Sequence, residues 1–304
     1  MIANIKSKFP INHGKFLFYN ASHGSLSHFK SSHKKKDIFM QSKTLYTAHM
    51  PDSHGHIAWS ADENAIWRDL RIRQQKSIIG KACDEYTQGL NTLDLPIDHI
   101  PKLGNLDTTL QQMTGWQTAA VPALISFGKF FELLAHQRFP VATFIRTRDD
   151  FDYIQEPDIF HEIIGHLPLL THPAFANFTH TYGKLGLQAD KKTRVFLARL
   201  YWFTMEFGLI NTKDGLRIYG GGILSSPAET EYAVSGKPEY RPFNVNDILR
   251  TPYRIDKIQP IYYVIDKPEQ LFSLTEKSLM AEVNKAMEQG LFEPHPSLLD
   301  DQTA

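Results

Sequence analysis

The alternation of apolar and polar positions predicts a mainly helical chain from about residue 57 onward. Ser60 and Glu63 have the spacing of a capping box, and Ile66, Trp67 and Leu70 then recur on one helix face. Further helices are predicted over residues 82–93, 102–114, 127–138, 173–188 and 274–289. This pattern is typical of a packed domain in which amphipathic helices share one core.

The segment Arg194–Ile210 is apolar on nearly all sides, which indicates a buried central helix. After it the sequence predicts a turn over Asn211–Gly215, a strand over Leu216–Tyr219, a tight turn at Gly220–Gly222 and a strand over 261–265. No repeat and no linker interrupts residues 57–295. We therefore expect residues 41–304 to form a single domain, mainly α (an α+β fold with small strand pairs).

The first 40 residues differ from the rest of the chain. Residues 1–39 contain seven lysines against one acidic residue, Asp37, and show no clear periodicity. Too little apolar surface gathers there to offset the entropy lost on ordering. We expect residues 1–40 to be a disordered N-terminal extension; a nucleic-acid-binding arm is the less favoured alternative.

Over the whole chain, 33 basic residues balance 33 acidic ones, so no net charge favours nucleic acid or an anionic membrane. Cys83 is the single cysteine, which excludes an internal disulfide and favours a reducing compartment. No apolar run approaches the roughly 18–20 residues of a spanning helix. The sequence predicts a cytoplasmic protein without nucleic-acid or membrane partners.

Two of the 14 histidines, His161 and His166, lie in the stretch PDIFHEIIGH. They are five residues apart, not four as in the zinc-protease motif, and on a continuous α-helix they would point roughly 140° apart. We expect both to reach one metal only if the helix ends between them. Gly165 could provide a left-handed cap, and Pro168 disfavours continuation. Two unrelated histidines at a helix end are the alternative.

Glu206 is the only ionised residue in the ten-residue run Tyr201–Ile210. Burying an unpaired charge is costly, so this carboxylate needs a cation or a metal. An arginine, Arg146 or Arg199, is one possible partner. Two histidines and one carboxylate are instead the protein ligands of non-haem iron(II) oxygenases. No cysteine lies near these residues, which argues against thiolate-bound zinc.

Asp158 lies one helical turn before His161 and is a candidate to orient that imidazole ring. Its alternative role is a negative charge at a helix N-terminus, after Pro157.

The stretches EPDIFHEIIGHLPLL (156–170) and YWFTMEFGL (201–209) resemble signature segments of the pterin-dependent aromatic amino acid hydroxylases. ACDEY, TGW, RFPV and RIYGGGILSS match as well, and the resemblance runs from about residue 57 to 275. It is strongest to the short bacterial members that hydroxylate phenylalanine. The resemblance implies that family's catalytic-domain fold and the conversion of L-phenylalanine to L-tyrosine, the first step of phenylalanine catabolism. The implied partners are O2 and a tetrahydropterin, in a monomer or small homo-oligomer.

The resemblance also implies roles for individual residues. Iron(II) would be bound by His161, His166 and Glu206. The substrate would contact Arg146, Tyr153, Pro157, Trp202 and Ser225, with the arginine holding its carboxylate. The pterin would contact Val121, Ile125, Phe130, Glu162 and Tyr201, with the phenylalanine as its stacking surface.

There are three alternatives to this function. Tryptophan and tyrosine hydroxylases are the nearest alternatives, and Trp202 is more similar to the phenylalanine and tyrosine enzymes. A zinc-dependent hydrolase that uses HEIIGH is an unrelated class, which the five-residue spacing opposes. A non-catalytic binding protein on the same fold is a third class, and the complete ligand set opposes it.

Overall fold

The computed structural model describes residues 46–154, 156–274 and 276–299. The predicted extension, residues 1–40, lies outside them. The helices are α1 (Ala61–Ser77), α2 (Asp84–Leu93), α3 (Leu103–Thr114), α4 (Phe127–Ala135), α5 (Leu167–Leu170), α6 (Pro173–Gln188), α7 (Lys191–Tyr201), α8 (Gly221–Leu224), α9 (Pro227–Ala233), α10 (Val245–Arg250), α11 (Glu269–Phe272) and α12 (Glu276–Gln289). Two π-helices, π1 (His161–His166) and π2 (Trp202–Glu206), and a 3₁₀ turn (Pro296–Leu298) complete the helical elements.

Several predicted elements are confirmed. Helix α1 begins at the predicted capping box: the Glu63 amide donates to Ser60 Oγ at 3.2 Å, and the Ser60 amide donates to Glu63 Oε2 at 2.7 Å. Its predicted apolar face is buried. Helices α3 and α6 agree with the predicted bounds within one residue. Helix α4 stops at Ala135, three residues before its predicted end.

The prediction of one central helix over Arg194–Ile210 is wrong. The α-helix ends at Tyr201, five residues of π-helix follow, and the chain enters a strand at Leu209. The segment is apolar on all sides because it is buried both as a helix and as a strand, so periodicity could not separate the two. The predicted tight turn at the three glycines is also wrong, since Gly221 opens the short helix α8.

Six strands form two small sheets in the described part of the chain: β1 (Gln117–Val121), β2 (Arg138–Ala142), β3 (Leu209–Thr212), β4 (Gly215–Ile218), β5 (Glu239–Pro242) and β6 (Ile261–Ile265). Strands β1 and β2 pair in parallel and are joined through α4. The second sheet has the order β4-β3-β6-β5, antiparallel between β3 and β4 and parallel elsewhere. The expected mainly helical fold with small strand pairs is confirmed.

The helices pack around a core that contains both π-helices. Helix α4 lies on α6, α2 on α5, and α8 on π1 and π2. Ile163, Ile164, Phe203 and Met205 of the π-helices are at most 1 % exposed, so these helices are held from several sides. Among the described residues, no helix combines the length and apolar character that a membrane crossing needs. The packing leaves a cavity of about 470 Å³ beside the two π-helices.

Candidate functional site

His161 and His166 occupy the two ends of π1, and this geometry corrects the expected helix end between them. A π-helix closes its hydrogen bonds between residues five apart, so residues i and i+5 lie on one face. The Nε2 atoms of the two rings are 3.2 Å apart. The helix therefore continues through the pair, and a change of helix type replaces the predicted break.

Gly165 has a different role from the predicted left-handed cap. A Cβ atom at this position would lie 2.9 Å from the carbonyl oxygen of Gly221 in α8. A Cβ atom on Gly221 would lie 2.7 Å from the Gly165 oxygen and 2.7 Å from Cε1 of His166. The two glycines thus let α8 contact the histidine-bearing helix directly, and Pro168 continues the chain in α5.

Glu206 is the last residue of π2 and lies beside both histidines. Its Oε1 is 3.1 Å from Nε2 of His166, and its Oε2 is 3.7 Å from Nε2 of His161. The two arginines that could have paired with it lie elsewhere: Arg146 pairs with Asp158, and the Arg199 guanidinium donates to the carbonyl of Val195. Among these candidates, the two histidine rings therefore lie nearest to the Glu206 carboxylate.

The three side chains fit a divalent cation. Ligand atoms bound about 2.1 Å from one ion at right angles lie roughly 3 Å apart, close to the distances found here. Burial lowers the pKa of His161 to about 4, which keeps the ring neutral and able to coordinate. Burial opposes ionisation of Glu206, but His166, His161 and the Gly222 amide outweigh it and hold its pKa below the usual value.

Glu162 offers a second carboxylate at this position. One of its oxygens lies within 4.8 Å of ligand nitrogens of both His161 and His166. Burial raises its pKa well above the ordinary range, and the negative charges of Glu206 and Asp158 add to the effect. A carboxyl group must be ionised to bind a metal, and ionisation is disfavoured at Glu162 and favoured at Glu206, so Glu206 is the stronger candidate for the third coordination position.

Ser225 sets the orientation of the His161 ring. Its Oγ lies 2.9 Å from Nδ1 of His161, and its hydroxyl donates to the Gly222 carbonyl at 3.4 Å. The serine oxygen can therefore accept a hydrogen bond from Nδ1–H, which leaves the lone pair of Nε2 free for a cation. The sequence had suggested Asp158 for this role. Asp158 instead accepts from the backbone amide of His161 at 2.9 Å, and its other contacts are with Arg146.

Arg146 is buried and lines the cavity. Its Nε and Nη2 donate to the two carboxylate oxygens of Asp158 at 2.8 and 2.9 Å. Only 5 % of the residue is exposed, so Arg146 is not a surface charge. The bonds to Asp158 leave Nη1 available to an anion in the cavity.

The aromatic side of the cavity is built around Trp202. Its ring stacks on Tyr253 at 4.4 Å and lies 4.4 Å from Phe207, while Nε1 donates to Gln259 Oε1 at 3.1 Å. Pro157 and Tyr153 line the same cavity, as expected. Tyr153 is 59 % exposed and donates to the Ile255 carbonyl at 3.3 Å, so it lies at the mouth of the cavity.

All five residues expected to contact the pterin line the same cavity: Val121, Ile125, Phe130, Glu162 and Tyr201. Phe130 is 5 % exposed, and its ring meets the edge of the Tyr201 ring at 5.6 Å. The structure therefore brings the expected metal, substrate and pterin residues together around a single cavity.

Sequence reasoning missed two polar residues of this cavity region, Glu229 and Gln259. Glu229 lines the cavity and is buried, and Gln259 is the partner of the Trp202 indole. The stretch SSPAETEY could have signalled Glu229, because Ser226 and Glu229 have the spacing of a helix cap followed by an acidic first turn. Gln259 lies in a loop without periodic signal.

The fold and the residues around the cavity are those of a pterin- and iron-dependent hydroxylase, and comparison with known proteins agrees. The family described as biopterin-dependent aromatic amino acid hydroxylase matches residues 20–291, and the chain belongs to this family. The match begins inside the predicted extension.

Similar proteins include bacterial phenylalanine hydroxylases. The chain is 57 % identical to the phenylalanine-4-hydroxylase of Pseudomonas aeruginosa over 251 residues, covering 83 % of this chain and 96 % of the relative. The apo structure of the cold-active phenylalanine hydroxylase from Colwellia psychrerythraea 34H is similar with a TM-score of 0.80 and 55 % identity, over 82 % and 97 % of the two chains. The Chromobacterium violaceum enzyme, solved with iron(III) and 7,8-dihydrobiopterin, has a TM-score of 0.75 and 40 % identity, over 86 % and 93 %.

Proposed function

We propose that this chain converts L-phenylalanine to L-tyrosine, with O2 and a tetrahydropterin as co-substrates and iron(II) bound by His161, His166 and Glu206. The observation that carries the proposal is the meeting of these three side chains with a buried arginine and aromatic walls in one cavity. The bacterial relatives named phenylalanine-4-hydroxylase support phenylalanine as the substrate.

The protein's part in this reaction is to bind and orient. Arg146 would hold the substrate carboxylate through Nη1, while Asp158 keeps the guanidinium plane fixed. Trp202 and Pro157 would confine the aromatic ring, so that its para carbon points in one direction. Phe130 would provide a flat face for the pterin. The buried walls would limit the access of water to the reacting groups.

When bound, iron(II) and the pterin would supply the activation of O2, which no side chain can provide. The chain would tune that chemistry through the ligands and their supports. Ser225 holds the His161 ring, and the Gly222 amide together with the two histidines keeps Glu206 ionised.

One related function remains as an alternative. A tyrosine or tryptophan hydroxylase would use the same site with a different ring pocket; the rat tyrosine 3-monooxygenase is 33 % identical over 213 residues. A zinc-dependent hydrolase, the unrelated class, is excluded because the chain belongs to the hydroxylase family.

The test is an assay of tyrosine formation by the iron(II)-loaded protein with phenylalanine, O2 and tetrahydrobiopterin. Parallel reactions with tyrosine and with tryptophan measure selectivity. We expect tyrosine to form from phenylalanine, with little product from the other two amino acids. Removing iron with a chelator should abolish product, and zinc should not restore it. Product formation with zinc and without pterin would overturn the proposal.

We further propose that this activity resides in the cytoplasm, where a chain with one buried cysteine needs no oxidising environment. A monomer or small homo-oligomer stays the prediction for its assembly, and light scattering of the purified protein measures it.

A further inference from the structure

An amino acid carries a negative carboxylate and a positive ammonium group into the cavity, and Arg146 can pair only with the carboxylate. If the proposed function holds, the substrate's α-ammonium group is removed from water together with its carboxylate. A buried ammonium group needs an acceptor, because an uncompensated charge in a desolvated site is costly. The cavity should therefore hold a carboxylate that is free to face this group.

Five carboxylate side chains line the cavity: Asp152, Glu162, Glu206, Glu229 and Asp256. The two aspartates belong to ion pairs at the surface. The side chain of Asp152 is 92 % exposed and pairs with Arg73, and Asp256 accepts from Arg254 at 2.9 and 2.6 Å. Glu162 and Glu206 lie beside the two histidines, on the metal side of the cavity. Glu229 is the remaining carboxylate.

Glu229 is held in a fixed position by two donors. It lies in the first turn of α9, where its amide donates to Ser226 Oγ at 3.4 Å. The hydroxyl of Tyr262 donates to Oε1 at 2.5 Å, and the amide of Gln259 donates to the same oxygen at 3.2 Å. Oε2 has no hydrogen-bond partner among the residues that the structure describes. Only 8 % of the residue is exposed, so this oxygen is a largely buried acceptor that is held in a fixed position.

One of these donors, Gln259, also links Glu229 to the aromatic wall of the cavity. Gln259, whose amide bonds to Glu229, accepts from the indole Nε1 of Trp202 through its side chain at 3.1 Å. Ser225, four residues before Glu229, contacts the His161 ring. Burial raises the pKa of Glu229 in the absence of a cation, in spite of the two donors. A bound ammonium group would supply the missing positive charge.

We propose that Glu229 accepts the α-ammonium group of the amino acid substrate and makes the site selective for amino acids over acids that lack the amine. The proposal rests on the proposed function, since it requires an amino acid in this cavity. A site that is built to bind a polar group rejects analogues without that group, because its own buried partner is then left unpaired.

The test compares two ligands and two proteins by calorimetry at pH 7 under anaerobic conditions. Iron(II)-loaded wild type and Glu229→Gln are titrated with L-phenylalanine and with 3-phenylpropanoate, which keeps the ring and the carboxylate but lacks the amine. We expect Glu229→Gln to weaken phenylalanine binding about ten- to a hundredfold. Binding of 3-phenylpropanoate should change less than about twofold, since it never meets the ammonium acceptor.

Tyr262→Phe serves as the matched control, because it removes a hydrogen bond to the same carboxylate and keeps the charge. It should retain most of the preference for phenylalanine. Should Glu229→Gln fail to fold, Glu229→Asp replaces it and should show a smaller loss in the same direction.

If Glu229→Gln weakens the binding of phenylalanine and of 3-phenylpropanoate equally, Glu229 has a structural role and the inference is overturned. Unchanged phenylalanine binding would overturn it as well. If wild type binds no phenylalanine, the proposed function itself fails, and the inference fails with it. If wild type binds phenylalanine and the variant loses no selectivity, this inference alone is lost.

Discussion

Arg146 and Asp158 form a buried, bidentate ion pair. It connects the arginine that is expected to bind the substrate carboxylate with the candidate metal centre. Nε and Nη2 of the arginine donate to the two carboxylate oxygens at 2.8 and 2.9 Å. The same carboxylate accepts from the backbone amides of Arg146 at 3.0 Å and His161 at 2.9 Å. The Asp158 side chain therefore fixes two groups: the guanidinium of Arg146, twelve residues away in sequence, and the start of the histidine-bearing helix, three residues away.

Asp158→Asn should destabilise the fold strongly. The substitution leaves the Arg146 charge buried without a counter-charge, and breaking a buried pair in this way costs about 3–5 kcal/mol. The free energy of unfolding, measured in urea, should fall by that order. Asp256→Asn is the matched control: its pair with Arg254 is partly exposed and should cost less than about 1 kcal/mol. Equal effects from the two substitutions would contradict the assignment.

The same pair should make stability depend on pH. Burial opposes ionisation of Asp158, but the Arg146 charge and the N–H donors outweigh it and lower its pKa. A carboxyl group whose pKa is lower in the folded state stabilises the protein above its ordinary pKa, and that stabilisation is lost as pH falls through the folded value. The gap in unfolding free energy between wild type and Asp158→Asn should therefore narrow below about pH 4. A gap that stays constant down to pH 2 would argue against this ion pair.

Helix starts and buried faces were predictable because they depend on local patterns. The capping box at Ser60 and Glu63 and the apolar face of α1 need only neighbouring residues. The change from α- to π-helix at His161 and Trp202 carries no such signal. A π-helix is less favourable on its own and persists where packing and ligands stabilise it, so it depends on contacts distant in sequence.

The candidate metal ligands were predicted for a similar reason, while the side-chain contacts that hold the site together were not. A charge inside the apolar run around Glu206 stands out in any reading of the sequence. Ser225 lies 64 residues from the His161 ring that it contacts, and Gln259 lies 57 residues from Trp202. Small polar residues in loops and short helices have no periodicity, so only the folded structure shows what they hold.

Glu206 and Glu162 can be separated by their effects on metal binding. Glu206→Ala should lower iron(II) occupancy and hydroxylation sharply, because it removes one of three protein ligands. Glu162→Ala should leave metal affinity near the wild-type value, since the raised pKa of its carboxyl group disfavours the ionised form that binds a metal. Mass spectrometry measures the metal content of each variant, and titration with cobalt(II) measures its metal affinity. The reverse result would move the third ligand position to Glu162.

Arg146→Lys should raise the KM for phenylalanine while leaving the iron content unchanged. Lysine supplies charge but not the planar fork that holds Asp158 and a carboxylate together. Losing one charge-assisted contact costs roughly 1.5–3 kcal/mol, about ten- to more than a hundredfold in kcat/KM. Tyrosine formation should also fall relative to pterin oxidation, because a misplaced ring is hydroxylated less often. Arg148→Lys, at an exposed pair with Asp69, is the control that should behave like wild type. If the KM is unchanged and tyrosine formation still matches pterin oxidation, the site that binds the substrate carboxylate lies elsewhere.

Gly165→Ala should affect both stability and metal binding, because the helix that carries the histidines is packed directly on α8. The added Cβ atom would lie 2.9 Å from the backbone oxygen of Gly221, a contact that neither helix can relieve by rotating a side chain. Overpacking of this kind costs about 1–3 kcal/mol, and any shift of π1 also displaces His166 relative to Glu206. We therefore expect a lower melting temperature together with weaker cobalt(II) binding. Gly104→Ala in α3, where a Cβ atom meets nothing within 4 Å, should be neutral or stabilising by up to about 1 kcal/mol. A lower melting temperature with unchanged metal affinity would mean that the Gly165–Gly221 contact serves packing alone.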